Sequence, residues 1–367
     1  MWYIRIWLSM EQGVVSYANA AETDSGTHSN SVPTCPLCGR GGKELYAALI
    51  DWLFGVPGSW SIRSCSICDL VWLHPQPATE EIPALYARYY THGSLPRTWL
   101  AILREAIARR VFARMGYAVP PTVGILPRLL SYIPSVARAA SLDVMDLAPS
   151  ANGELLDVGC GNGDFILRMR ALGWNVSGVD PDPAAVTRGQ SMGLPIYAGT
   201  IADVPNHLHY DVITLNHVME HVSDPVEVLR ECGKRLRPQT GKIVITTPNA
   251  RSLGHRWFRR HWRGLEVPRH FIIFSPRALA DCVTRSGLEV SRIRTETRLS
   301  RMIYQRSVCA REGFRNVGEK TDFKLTTKIA AYAFQFLEDA LIPFQKDIGE
   351  EVYCMCIPVG EDNDDRK

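Results

Sequence analysis

Between Leu155 and Phe165 the chain runs from a short apolar stretch, Leu-Leu-Asp-Val, into Gly-Cys-Gly-Asn-Gly-Asp and then into helical spacing. Glycines at 159, 161 and 163 let the backbone turn sharply and admit a ligand close to the main chain. The same rhythm continues downstream. Strands are predicted at 155–158, 176–180, 211–215, 242–246 and 351–357, and helices at 164–172, 183–192, 224–236, 276–286 and 322–340. Continuous apolar strands interleaved with helices predict an α/β fold built on a doubly wound parallel sheet. The loop fits neither of two common phosphate cradles. A dinucleotide loop would need its third glycine at 164, where Asp stands, and no Gly-Lys-Ser/Thr follows. What remains is a cradle for a ligand without a pyrophosphate. Asp157, at the strand end, is placed to accept from an ammonium group. Asp180, 23 residues later at the end of the next strand, is placed to accept two ribose hydroxyls.

Four of the ten cysteines form two pairs, Cys35/Cys38 and Cys65/Cys68, with 26 residues between them. A Cys-x-x-Cys turn aims two thiolates at one ion, and two such turns complete a tetrahedral S4 zinc site. Such a site has no spare coordination position, so its expected role is structural. The other six cysteines lie in apolar or helical segments and read as buried thiols.

The stretch Leu155–Phe165 resembles the first motif of class I S-adenosylmethionine-dependent methyltransferases, and Gly178-Val-Asp-Pro-Asp182 resembles their second. Tyr197-Ala-Gly-Thr-Ile-Ala-Asp203 is similar to the segment that flanks adenine, and Asp211–Leu215 to the fourth strand. The likeness continues more loosely through Trp262–His270 and Phe274-Ser-Pro276. The run Cys65–Pro75 resembles the segment that joins a four-cysteine module to the helices of such enzymes. The resemblance implies a mostly parallel, seven-stranded Rossmann-like sheet and S-adenosylmethionine as cofactor. It implies a donor site of Asp157, Gly159, Gly161, Gly163, Asp180, Pro181, Thr200, Ile201 and Asn216.

Chemistry is expected after the fourth strand, in Asn216-His-Val-Met-Glu-His221, because ligands bind at the carboxyl ends of parallel strands. His217 and His221 are candidate bases, with Glu220 beside His221. A Glu220-His221 pair is also common in the family as a structural feature. A metal site of His217, Glu220 and His221 is a third reading. It resembles the Glu-x-x-Glu-His arrangement of quinone-precursor O-methyltransferases, with His217 in place of the first Glu. His270 is a second base candidate, in an insertion at 251–275 expected to cover the cleft and offer Trp262, Arg263 and Arg269 to the acceptor. Residues 251–315 hold fifteen arginines against five acids, and Arg256–Arg263 interleaves cations with aromatics. That pattern suits an anionic acceptor or a membrane surface.

Overall charge is nearly balanced, 41 basic against 38 acidic residues, which excludes a disordered polyelectrolyte. No run of about 18 apolar residues offers a membrane span. The short apolar start lacks a secretory pattern, and Met10 is an alternative start. The expected organisation is a flexible lead-in (1–32), a zinc-ribbon-like module (33–77), a helical connector (78–150), the methyltransferase domain (151–360) and a charged tail (361–367). The expected activity is methyl transfer to a small-molecule or glycan-linked, anionic acceptor, in envelope-polysaccharide or secondary metabolism. The expected location is cytoplasmic, extending to peripheral association at the inner membrane face. An RNA methyltransferase and a non-catalytic donor-binding scaffold are the alternatives. Against the first, no Asn/Asp-Pro-Pro-Tyr motif or RNA-binding module is present.

Overall fold

A computed structural model describes residues 33–78, 80–86, 99–313 and 323–359. The lead-in expected at 1–32 and the tail at 361–367 lie outside the described residues.

The main sheet has seven strands: β4 (Glu154–Val158), β5 (Asn175–Asp180), β6 (Ile196–Ala198), β7 (Val212–Asn216), β8 (Lys242–Pro248), β10 (Leu288–Glu296) and β11 (Glu351–Pro358). Their order is β10-β11-β8-β7-β4-β5-β6, and β11 alone runs opposite to the other six. The expected mostly parallel, doubly wound sheet is therefore present. The reversal of β11 puts its first residues beside the carboxyl ends of β7 and β8, where Glu351 pairs with Pro248. Three helices start in the same way, with a capping oxygen followed by proline. Asp182 accepts from the amide of Ala184, Asp224 from Glu227 and Ser275 from Ala278, each with proline at the first helical position. In this part of the fold the sequence reading lacks β6, the edge strand β10 and the helix Ser300–Arg311.

A second sheet carries the cysteines. It contains β1 (Lys43–Leu49), β2 (Trp60–Ser64), β3 (Val71–His74) and, at its edge, β9 (Ile272–Ile273). Strand β9 comes from the 251–275 insertion: Val71 pairs with Ile273 and Trp72 with Ile272. The amide of Leu73 also donates to the carbonyl of Phe271 at 2.9 Å, and one residue past β9 Phe274 bridges to Asn249, just beyond β8. The four-cysteine module is therefore not self-contained. Its apolar residues, Leu70 and Trp72 among them, belong to the same core as Leu215 and Ile245 of the main sheet. The connector helices Trp99–Arg114 and Pro134–Ser141 likewise pack on the sheet. Val111, Phe112 and Leu142 share a core with Leu155, Phe165 and Met169.

Candidate active site

The turn after β4 and the end of β5 form one hydrogen-bonded unit. The amides of Gly159 and Cys160 both donate to the carbonyl of Val179, at 2.8 and 3.2 Å. The Gly161 amide donates to Asp180 Oδ2 at 2.7 Å, and the Asp182 amide to Asp180 Oδ1 at 2.9 Å. Gly161 has φ +52°, and a Cβ placed there meets nothing within 4 Å. Gly159, at φ +66°, is instead pressed against Val218, whose Cγ2 would lie 2.6 Å from a Cβ. One glycine therefore packs the loop onto the segment after β7, and the other leaves open space above it. Asp180 is buried, and burial raises its carboxyl pKa against the pull of the two amides. Asp157 lies beneath the loop. It accepts from Thr214 Oγ1 at 2.6 Å, and burial pushes its carboxyl up to about 7. Neither carboxylate has an ion-pair partner among the described residues.

The expected flanking residues gather at the same edge. The Gly199 amide donates to the carbonyl of Asp180 at 3.0 Å, which brings the turn at Ile201–Asp203 beside Asp180. Thr200 and Asp203 cap that turn reciprocally, and Ile201 is buried beneath it. Pro181 begins the exposed turn that leaves β5. Asn216, at the end of β7, accepts from Thr246 Oγ1 at 2.5 Å.

The three histidines separate clearly. His217 has φ +55° and is wedged between two buried carboxylates, Nδ1 lying 3.0 Å from Glu220 and Nε2 2.8 Å from Glu351. Burial opposes its charge, but these two partners hold the ring pKa up at about 9. Glu220 and Glu351 are held down at about 2: burial works against their charge, and His217, with Arg298 for Glu351, overcomes it. An imidazolium that donates from both nitrogens has no lone pair for a substrate proton. The expectation that His217 is a base is corrected on that ground. His270 is buried, with Nδ1 2.7 Å from the carbonyl of Gly264, and burial depresses its ring to about 4. It packs edge-on against His221, ring centres 4.8 Å apart, inside the protein rather than under a lid. His221 is half-buried. Its Nδ1 lies 3.0 Å from the carbonyl of Arg269 and 2.9 Å from the Tyr86 hydroxyl. Because a carbonyl only accepts, Nδ1 carries a hydrogen.

The insertion does not present the side chains expected to meet the acceptor. Arg269 is 0% exposed, gripping Asp51 through both terminal nitrogens at 2.8 and 2.9 Å and Glu266 through Nε at 3.2 Å. Trp262 is 1% exposed, donates to Glu350 at 2.8 Å and stacks on His255. Arg263 is largely buried and paired with Glu266. The segment is a wedge between the two sheets, because fixed charge partners and apolar neighbours outcompete solvent for these side chains. Asp51, Glu351, Arg298 and Tyr86 escaped the sequence reading. The one signal available was that Glu351 opens a strand.

The four cysteine sulfurs lie within 4.8 Å of one another, Cys35 and Cys68 at 3.5 Å, and Cys38 and Cys65 at 3.5 Å. The two knuckles share one backbone form. The residue after each second cysteine, Gly39 or Asp69, is left-handed and donates its amide to the carbonyl of Cys35 or Cys65. Zn–S bonds of about 2.3 Å in a tetrahedron separate sulfurs by about 3.8 Å, so the donor set fits zinc. Elemental analysis of protein purified reduced and without chelator is expected to find one zinc per chain, lost in Cys65→Ser. Metal-free wild-type protein would contradict the assignment.

A family model described as "Methyltransferase domain" matches residues 131–293. The chain is 36% identical over 104 residues to a ubiquinone biosynthesis O-methyltransferase of Proteus mirabilis, covering 26% of this chain and 42% of that one. It is 33% identical over 124 residues to the mitochondrial ubiquinone biosynthesis O-methyltransferase of Saccharomyces cerevisiae, covering 31% and 38%. The chain thus spans about two-fifths of the length of these curated relatives. A SAM-dependent methyltransferase from Archaeoglobus fulgidus aligns at 18% identity and a TM-score of 0.41, over 60% of this chain and 92% of that one. Residues 131–293, which carry the loop after β4 and five strands of the main sheet in full, thus match a methyltransferase-domain family.

Proposed function

We propose that this chain transfers a methyl group from S-adenosylmethionine to a hydroxyl of a small-molecule acceptor, with His221 as the base. The observation that carries the donor side is the Gly161–Asp180 unit, a carboxylate with unused acceptor lone pairs beside a loop open to a ligand. Both Asp157 and Asp180 are buried without a cationic partner among the described residues, and that pair of acceptors fits a ligand bearing hydroxyl donors and positive charge. When bound, S-adenosylmethionine supplies an electrophilic methyl group on a sulfonium. Asp180 accepts the ribose hydroxyls, Pro181, Thr200 and Ile201 border the base, and the Gly159–Gly163 backbone and Asn216 shape the remainder. His221 Nε2 takes the acceptor proton, while the carbonyl of Arg269 fixes its tautomer. His217 orients the loop by pinning Glu220 and Glu351, and takes no proton itself.

The hydroxyl acceptor rests on the relatives, which are named as O-methyltransferases of ubiquinone biosynthesis. A glycan-linked or anionic acceptor loses the support that Arg263 and Arg269 were expected to lend it, since both are committed to internal carboxylates. The test is incubation of methyl-labelled S-adenosylmethionine with an extract of the source organism, followed by fractionation. Label is expected in the small-molecule fraction; label confined to RNA or protein would overturn the reading. On the purified acceptor, His221→Ala should lower kcat by roughly 10²–10⁴-fold with donor affinity unchanged. Unaltered turnover would remove His221 from the mechanism.

A further inference from the structure

Away from the donor site, the helix Trp99–Arg114 and the short helix Ile125–Leu130 enclose a cleft of about 290 Å³. Arg109, Arg110, Arg114 and Arg128 line it with Thr122 and Tyr132, and no carboxylate contributes to its wall. Two of these arginines are held in place. Arg110 reaches the carbonyl of Thr122 at 2.5 Å. Arg114 bonds Ser131 Oγ at 2.9 Å and lies over the Tyr132 ring, 4.7 Å from its centre. Arg109 pairs on the open side with Glu105 at 2.5 Å, and the Arg128 guanidinium has no hydrogen bond or ion pair among the described residues. Across residues 99–141 six arginines stand against the single acid Glu105.

Exposed apolar side chains neighbour the lining residues Thr122, Arg128 and Tyr132 along the chain. Val123 is 93% exposed and Ile125 75%, and Leu126, Leu129 and Ile133 are exposed beside them. Five exposed large apolar side chains within eleven residues are the mark of an interaction site. The occupant must offer both anions and an apolar layer. A second copy of the chain, related by a two-fold axis, would bring arginines against arginines. A helix of six residues is far too short to cross a bilayer, and no described helix is long and apolar enough to do so. On a bilayer such a segment can only lie in the interfacial plane.

We infer that this face docks on an anionic lipid bilayer, headgroup phosphates entering the arginine cleft while Val123, Ile125, Leu126 and Leu129 sink to the acyl boundary. Co-sedimentation of the full chain with vesicles tests it, using phosphatidylcholine alone and phosphatidylcholine mixed with phosphatidylglycerol. Binding is expected only to the anionic vesicles, and should weaken as salt rises. The Arg109→Glu/Arg128→Glu pair should weaken it by about tenfold or more. Ile125→Ser/Leu129→Ser should do the same by removing the apolar contacts. Unchanged S-adenosylmethionine affinity in both variants would show that they remain folded. Equal binding to neutral vesicles, absence of vesicle binding, or binding indifferent to both variants would overturn the inference. So would tight binding of inorganic phosphate without vesicle binding, or a dimer in sedimentation velocity that Leu129→Ser dissociates.

Discussion

His217→Ala is expected to destabilise the sheet domain by about 3–5 kcal/mol, the cost of removing one partner from a buried charge cluster. Glu351 keeps Arg298 in that variant, but Glu220 keeps only the Thr247 hydroxyl among its bonded neighbours. The pH dependence has a definite sign. The folded-state pKa of His217 is raised to about 9 from 6.5, so its contribution is complete below about 6.5 and fades as pH rises through 9. Glu220 and Glu351 are lowered to about 2 from 4.5, so theirs is complete above 4.5 and fades as pH falls through 2. The difference between wild type and variant in urea denaturation should therefore be largest near neutrality and shrink above pH 9. It should also shrink toward pH 4, where the stranded Glu220 takes up a proton. A loss below 1 kcal/mol, or one independent of pH, would refute the clamp.

Arg269→Ala should cost a similar amount, about 3–5 kcal/mol, because it strands the fully buried carboxylate of Asp51. The damage should be regional. Asp51 caps its own turn through the amides of Leu53 and Phe54, and Arg269 ties that turn to the segment that supplies β9. Hydrogen exchange should accelerate across 43–74 and 271–274 while β4 and β5 remain protected. Arg269→Lys should rescue little, since one ammonium cannot replace the paired grip on Asp51 together with the Nε contact to Glu266. Unchanged exchange in the cysteine-bearing sheet would contradict this link.

The loop after β4 and the end of β5 are legible in the sequence because their signals are local. Gly159, Gly161 and Gly163 sit within one turn, and Asp180 ends a strand whose apolar run is plain. The cysteine knuckles are local too. The surroundings of the 251–275 insertion were misread because their determinants are distant in sequence. Arg269 looks like a surface cation until Asp51, 218 residues away, is placed against it. Trp262 looks like a stacking face until Glu350 accepts its indole hydrogen. Strand β9 is two residues long, too short for any periodicity to reveal, yet it makes the insertion a wedge rather than a lid. His217 has the pKa of a base in isolation; only the antiparallel placement of β11 brings Glu351 to its second nitrogen.

Calorimetric titration of S-adenosylmethionine into the wild-type chain and into Asp180→Ala tests the central claim most directly. One donor per chain should bind the wild type. The variant, deprived of charge-assisted hydrogen bonds of roughly 1.5–3 kcal/mol each, should bind at least about tenfold more weakly. Circular dichroism of the variant should stay native, since the lost contacts are two loop amides. Absence of binding to the wild type, or equal affinity in the two proteins, would contradict the account.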